Sequence, residues 1–174
     1  ELAMEATGAA RGVIATKAHY HDAVHALEQA LGGRNDITLH LMDSYYPSGD
    51  EKSIIFEVSG RVVPSGKLPL DVGCVVDNVG TMLNIGEALA DKPVTDKYLS
   101  VVGEVAEPIM LHLPLGTRIA DCVRAAIPAI SAYSLILGGP MMGKTLTTPQ
   151  QIEEAVVTKT TGNIIVLPRD HYLF

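Results

Sequence analysis

Two stretches hold most of the groups able to do chemistry. In Tyr45-Tyr46-Pro47-Ser48-Gly49-Asp50-Glu51-Lys52, an aromatic pair precedes a turn that glycine makes cheaply, with three charged groups at its tip. A ring there can lie against a flat heterocycle while Asp50 or Glu51 accepts hydrogen bonds from an amide or hydroxyl. A solvated surface turn has the same composition. The second stretch, Asp77-Asn78-Val79-Gly80-Thr81, follows the apolar run Val72 to Val76, read as a strand, and opens a run with helical spacing through Ala90. Phosphates meet helix N-termini at such junctions, and Asn78 and Thr81 can donate to one. Ordinary capping by Asp77 or Asn78 is the simpler reading.

Two other patterns invite chemistry and do not sustain it. Gly138 to Thr145 matches the phosphate-binding loop G-x-x-x-x-G-K-[ST]. A working loop needs a helix starting at its Lys-Thr, but Thr145-Leu146-Thr147-Thr148-Pro149 is β-branched and turn-like, and Pro140 removes a backbone donor. A tight turn with Met141 and Met142 packed onto a neighbour is expected instead. His19, His21 and His25 lie close in sequence, with His21 and His25 on one helix face, but no acidic or cysteine ligand stands at usual spacing, so no metal is expected.

The elements that must position these groups alternate. Val13 to Ala15 reads as a strand, and Asp22 as the cap of a helix carrying Ala23, Leu27 and Leu31, closed by Gly32-Gly33. Ile37 to Leu41 and Ser53 to Val58 read as further strands, so the first half is expected to be a mostly parallel, layered α/β sheet. After Asp91-Lys92-Pro93 come strands at Tyr98 to Val102 and Ile109 to Leu113, a helix from Ile119 to Ile127 capped by Thr117, and a returning strand at Leu135 to Leu137. That order fits a small β-grasp module. The organisation expected is therefore residues 1–94, 95–146, and a lead-out segment at 147–174 with a short helix from Pro149 to Val156 and a strand at Asn163 to Leu167.

Composition narrows the function. The chain has 174 residues, 47% hydrophobic and 19% charged, enough for packed cores. With 13 Lys plus Arg against 20 Asp plus Glu, and no dense basic cluster, nucleic acid is not expected as a partner. No apolar run approaches the roughly 20 residues of a membrane helix. Cys74 and Cys122 have no C-x-x-C spacing and read as buried thiols in a reducing cytoplasm. Glu1 opens inside a helix-like run, which reads as a piece of a longer protein.

YPSGDEK, GRVVPSGKLPLDVGCVVDNVGT, VVGEVAEPIMLHLPLGT, LGGPMMGK and VTKTTGNIIVLP, in this order from about Tyr45 to Leu167, resemble the C subunit of the Rnf electron-transport complex and its relative, the propanediol-utilisation cobalamin reductase. The resemblance implies a Rossmann-like flavin and NADH domain, similar to the flavin subunit of respiratory complex I, then a soluble-ligand-binding β-grasp (SLBB) module, with an iron–sulfur segment beyond these residues. It implies that Tyr46 lies against flavin and nucleotide, and that Asp50 and Glu51, in a loop with Gly49 and Lys52, serve the nicotinamide and flavin edge. Asp77, Asn78 and Thr81 would hold the phosphate and ribityl chain of FMN.

Gly80 stands where the complex I pattern has Glu, and Lys52 adds a charge foreign to that loop. The family's glycine-rich flavin loop lies upstream of the position matching Glu1. The function so implied is electron transfer from NADH through FMN to iron–sulfur centres, with no side chain acting as acid, base or nucleophile. The implied partners are NAD(H), flavin and other subunits of an electron-transfer complex. The implied location is cytoplasmic, peripheral on the inner membrane face or within a bacterial microcompartment. A competing expectation makes the β-grasp module the working part, binding cobalamin or a similar ligand or docking a neighbouring protein of the complex.

Overall fold

The computed structural model describes all 174 residues, in two compact units, Glu1–Gly86 and Glu87–Phe174. No helix is long and apolar enough to cross a membrane.

In the first unit, α1 (Leu2–Thr7) precedes β1 (Gly12–Lys17), and α2 (His21–Leu31) crosses to β2 (Ile37–Met42). The two strands pair in parallel, Gly12 with Ile37 through Lys17 with Met42. This is the expected strand-helix-strand alternation, in a sheet of two strands. Asp22 is not the cap of α2: Tyr20 holds that position without a side-chain bond, and Asp22 sits inside the first turn. Gly32 closes the helix at φ 53°, a left-handed backbone that glycine adopts without a Cβ penalty.

The strand expected at Ser53 to Val58 is a helix, α3 (Glu51–Ser59). Asp50 decides the matter, because its Oδ2 accepts the backbone N–H groups of Lys52 at 3.1 Å and Ser53 at 3.2 Å, satisfying donors that a first turn leaves orphaned. Helical spacing brings Ile55 into the core, and Gly60 ends the helix at φ 71°. The run Val72 to Val76 is not a strand either. A 3-10 turn (Pro69–Val72) ends at Gly73, whose φ of 68° breaks extended backbone, and the chain then runs irregularly to α4 (Val79–Ala88). Arg61 Nη1 fastens this segment, donating to the carbonyls of Val72 at 2.8 Å and Gly73 at 3.3 Å.

The second unit is a five-stranded mixed sheet in the order β4-β3-β7-β5-β6. Its strands are β3 (Asp96–Gly103), β4 (Ile109–Pro114), β5 (Tyr133–Leu137), β6 (Lys144–Leu146) and β7 (Asn163–Pro168), with helices α5 (Ile119–Ala125) and α6 (Pro149–Glu154). The expected hairpin, helix and returning strand are present. Residues 147–174, however, do not lead out of the module: β7 lies between β3 and β5, parallel to one and antiparallel to the other. Val101, Ile119, Val123, Leu135, Ile164 and Val166 are fully buried in one cluster, so the last strand is part of the core. Burying such side chains stabilises by about 2 kcal/mol each. Thr117 does not cap α5, whose N-cap is Arg118; its hydroxyl donates to the Pro114 carbonyl at 2.7 Å.

Gly138 to Thr145 connects β5 to β6 as a hairpin, with Lys144 paired to Leu137 and Thr145 to Ile136. A strand begins where a phosphate loop would need a helix. Gly143 sits so tightly that a Cβ would come within 2.5 Å of Ile136 Cγ2 and 2.6 Å of the Gly139 carbonyl.

Candidate functional site

The loop from Tyr45 to Asp50 is built by its own short-range bonds. Ser48 is fully buried, its hydroxyl donating to the Tyr45 carbonyl at 2.7 Å and its N–H to the same oxygen at 3.1 Å. Asp50 N–H donates to the Pro47 carbonyl at 2.8 Å. These bonds fold the chain back on itself and leave the Tyr46 ring 62% exposed. Gly49 has no left-handed backbone, and open space surrounds the position a Cβ would take, so the turn does not require glycine.

Asp50 and Glu51 differ in what they can do. The Asp50 carboxylate faces the first turn of α3 and accepts from it, while Glu51 lies in that turn with an exposed side chain. Glu51 is therefore the acid of this loop with the freer carboxylate. Lys52 follows, half-buried, its backbone N–H committed to Asp50.

At the second stretch the helix does begin, although no strand precedes it. Asn78 Oδ1 accepts the N–H of Gly80 at 2.9 Å, and the Asn78 carbonyl accepts those of Thr81 at 2.9 Å and Met82 at 3.2 Å. Asn78 is thus a cap, as one of the two readings expected. Asp77 and Thr81 are exposed, and the helix dipole places partial positive charge at this end. Both stretches fall in the first unit.

The sequence did not single out Glu57. From the last turn of α3, its Oε1 lies 3.1 Å from His40 Nε2 on β2, and its Oε2 accepts the Tyr45 hydroxyl at 3.3 Å. Burial, reinforced by the Glu57 carboxylate, pushes the Tyr45 phenol above its ordinary value and keeps it a donor. The partners are 17 and 12 residues away from Glu57, which no local pattern reveals. Of the three histidines near α2, His19 tilts against Tyr20, with ring centroids 4.3 Å apart, and His25 Nε2 lies 3.0 Å from Gln29 Nε2. No group of three His, Cys, Asp or Glu is placed to hold a metal.

Comparison with known proteins places these features in a family. Residues 1–87 match the Nuo51 FMN-binding domain. Over 99% of its length the chain is 42% identical to cobalamin reductase PduS of Citrobacter freundii. Over 98% it is 33% identical to the C subunit of the Na(+)-translocating ferredoxin:NAD(+) oxidoreductase complex of Acetobacterium woodii. It spans 38% of the length of each of these relatives. Among solved structures, a chain of the NAD+-reducing [NiFe]-hydrogenase in its H2-reduced state shares the fold, with a TM-score of 0.73 and 23% identity over 98% of this chain and 35% of that one. The chain belongs to the family of the Nuo51 FMN-binding domain and is similar along its length to cobalamin reductase PduS and to the C subunits of ion-translocating oxidoreductase complexes.

Proposed function

We propose that this chain is part of an NADH-linked flavoprotein that passes electrons from NADH through FMN to iron–sulfur centres outside these residues. The observation that carries the reading is the pair of features in the FMN-family half: a loop presenting the Tyr46 ring and Glu51, and a ten-residue helix opened by Asn78 with Thr81 exposed in its first turn. The donor set suits the group. With the N–H groups of Gly80, Thr81 and Met82 held by Asn78, the positive end of the α4 dipole and the Thr81 hydroxyl are what favour a phosphate, and an aromatic face favours a planar ring.

Bound FMN supplies the redox chemistry, accepting two electrons from NADH and releasing them singly. The side chains bind and orient. Tyr46 packs against the planar ligand, Glu51 accepts from the nicotinamide amide or ribose, and Asp50 fixes the direction of Glu51 by capping α3. Asp77, Asn78 and Thr81 set the start of α4 against the phosphate, while Gly49 and Lys52 border the loop. In the full-length protein, Thr81→Val is expected to weaken FMN retention about tenfold, the worth of one lost phosphate hydrogen bond. Unchanged retention would contradict this assignment.

A second reading, docking of a ligand or of a neighbouring protein on the second unit, is favoured by one observation. On the exposed face of β3 and β4, the Tyr98 and His112 rings stack 4.2 Å apart at 6°, and His112 bonds Asp96. Cobalamin or a similar flat ligand is the class this pair suits. Tyr98→Ala would weaken that binding and leave flavin reduction by NADH unchanged.

A further inference from the structure

We infer that Glu57 is a positioning residue for the nucleotide loop, acting through Tyr45 rather than by touching the ligand. The inference rests on the flavin and NADH reading of that loop and adds a residue to it.

The geometry has two ends. At the C-terminal end of the loop, Asp50 is tied to the first turn of α3 through the N–H groups of Lys52 and Ser53. At its N-terminal end, Tyr45 is tied to the last turn of the same helix through Glu57 Oε2. One helix therefore grips both ends of the segment that presents Tyr46. The other oxygen of Glu57 reaches His40 on β2, so the grip is referred to the parallel strand pair. A carboxylate with both oxygens engaged has far fewer rotamers than a solvated one, and the Tyr45 side chain, half exposed, would otherwise turn freely. Since Tyr45 is covalently next to Tyr46, tethering its hydroxyl to Glu57 restricts the backbone rotations at Tyr45 that would swing the Tyr46 ring.

The test uses the full-length protein with FMN, comparing wild type with Glu57→Ala, Glu57→Gln and Tyr45→Phe. Glutamine retains an oxygen for the Tyr45 hydroxyl and an NH2 for His40; alanine retains neither. Glu57→Ala and Tyr45→Phe are expected to speed amide exchange at Ser48 and Asp50 about fivefold, as loss of one hydrogen bond from a local opening equilibrium implies. Exchange in β5 and β7 should not change. KM for NADH is expected to rise about fivefold with kcat within twofold, since the loss falls on binding. Glu57→Gln should restore both readouts.

Unchanged exchange in Glu57→Ala would overturn the inference. So would faster exchange with an unchanged KM, because the clamp would then not position anything the nucleotide uses. If wild-type flavin is not reduced by NADH, the flavin reading falls and takes the positioning role with it, while exchange still decides whether the clamp exists.

Discussion

The carbonyl oxygen of Val166 occupies the space that a side chain on Gly103 would need, and Gly103 holds a φ of 97° there. The same oxygen accepts the N–H of Glu104 at 2.8 Å, so the strand end cannot move away without losing a bond. Gly103→Ala combines a left-handed backbone with a backbone clash. It is expected to destabilise the second unit by at least about 2 kcal/mol. Thermal unfolding followed by circular dichroism should show a Tm lowered by several degrees; an unchanged Tm would mean that β3 and β7 do not meet in this register.

Asp50 serves the helix before it serves any ligand. Asp50→Ala removes the acceptor for two N–H groups of α3 and is expected to cost about 1 kcal/mol, whereas Asp50→Asn, another good cap, should cost a few tenths. Urea unfolding of the two variants measures the difference. Equal losses would place the energetic weight on the carboxylate charge rather than on capping.

Asp36 gives the fold a dependence on acid. Its carboxyl accepts from Arg34 Nε at 2.9 Å and Nη2 at 2.6 Å, and these bonds hold its pKa at about 2 against an ordinary 3.8. A depressed folded value stabilises the native state at and above neutral pH, and the contribution disappears as pH falls through the ordinary value toward the folded one. The pair is exposed, so the effect is small and salt-sensitive. The stability gap between wild type and Asp36→Asn should be constant from about pH 7 to 5 and narrow between about pH 4 and 2. A gap that widens on acidification would contradict the assignment.

The two thiols are expected to react unequally. Cys122 is 2% exposed, and burial pushes its pKa up, further raised by Asp121. Cys74 is half-buried with Arg61 Nη1 3.7 Å from its sulfur. Titration of the folded chain with a chromogenic disulfide should modify Cys74 at least about tenfold faster than Cys122, and Cys74→Ser should remove the fast phase. A single fast phase of two thiols would show the α5 core to be open.

Much of the fold was legible wherever local pattern and tertiary placement agree. β1, β2, β3, β4, β5 and β7 lie where alternation and apolar runs put them, and a tight turn does follow β5, but Met141 and Met142 are 61% and 92% exposed rather than buried against a neighbour, and the strand Lys144–Leu146 replaces the turn-like run expected there. Ser53 to Val58 misleads because its β-prone side chains outweigh, by local propensity, a cap and a closing glycine that together define α3. Val72 to Val76 misleads because its hydrophobicity is unbroken while Gly73 turns the backbone. The central position of β7 was not legible at all: its neighbours β3 and β5 are set by pairing across the chain, which periodicity does not encode.

The candidate site divides the same way. Tyr46, Asp50, Glu51, Asn78 and Thr81 stand out by residue type and by resemblance, whereas the bond from Glu57 to Tyr45 depends on α3 being a helix at all. A strand over those residues would have pointed Glu57 and its neighbours by a period of two, and the clamp would not exist.

The most direct test of the electron-transfer account uses the full-length protein, purified without oxygen, loaded with FMN and mixed with NADH while flavin absorbance is followed. The account predicts that the flavin bleaches, and that Glu51→Ala slows bleaching at least about tenfold at low NADH, the effect of losing a charge-assisted hydrogen bond. Flavin that stays oxidised in the presence of NADH, or a Glu51→Ala variant as fast as wild type, would contradict it.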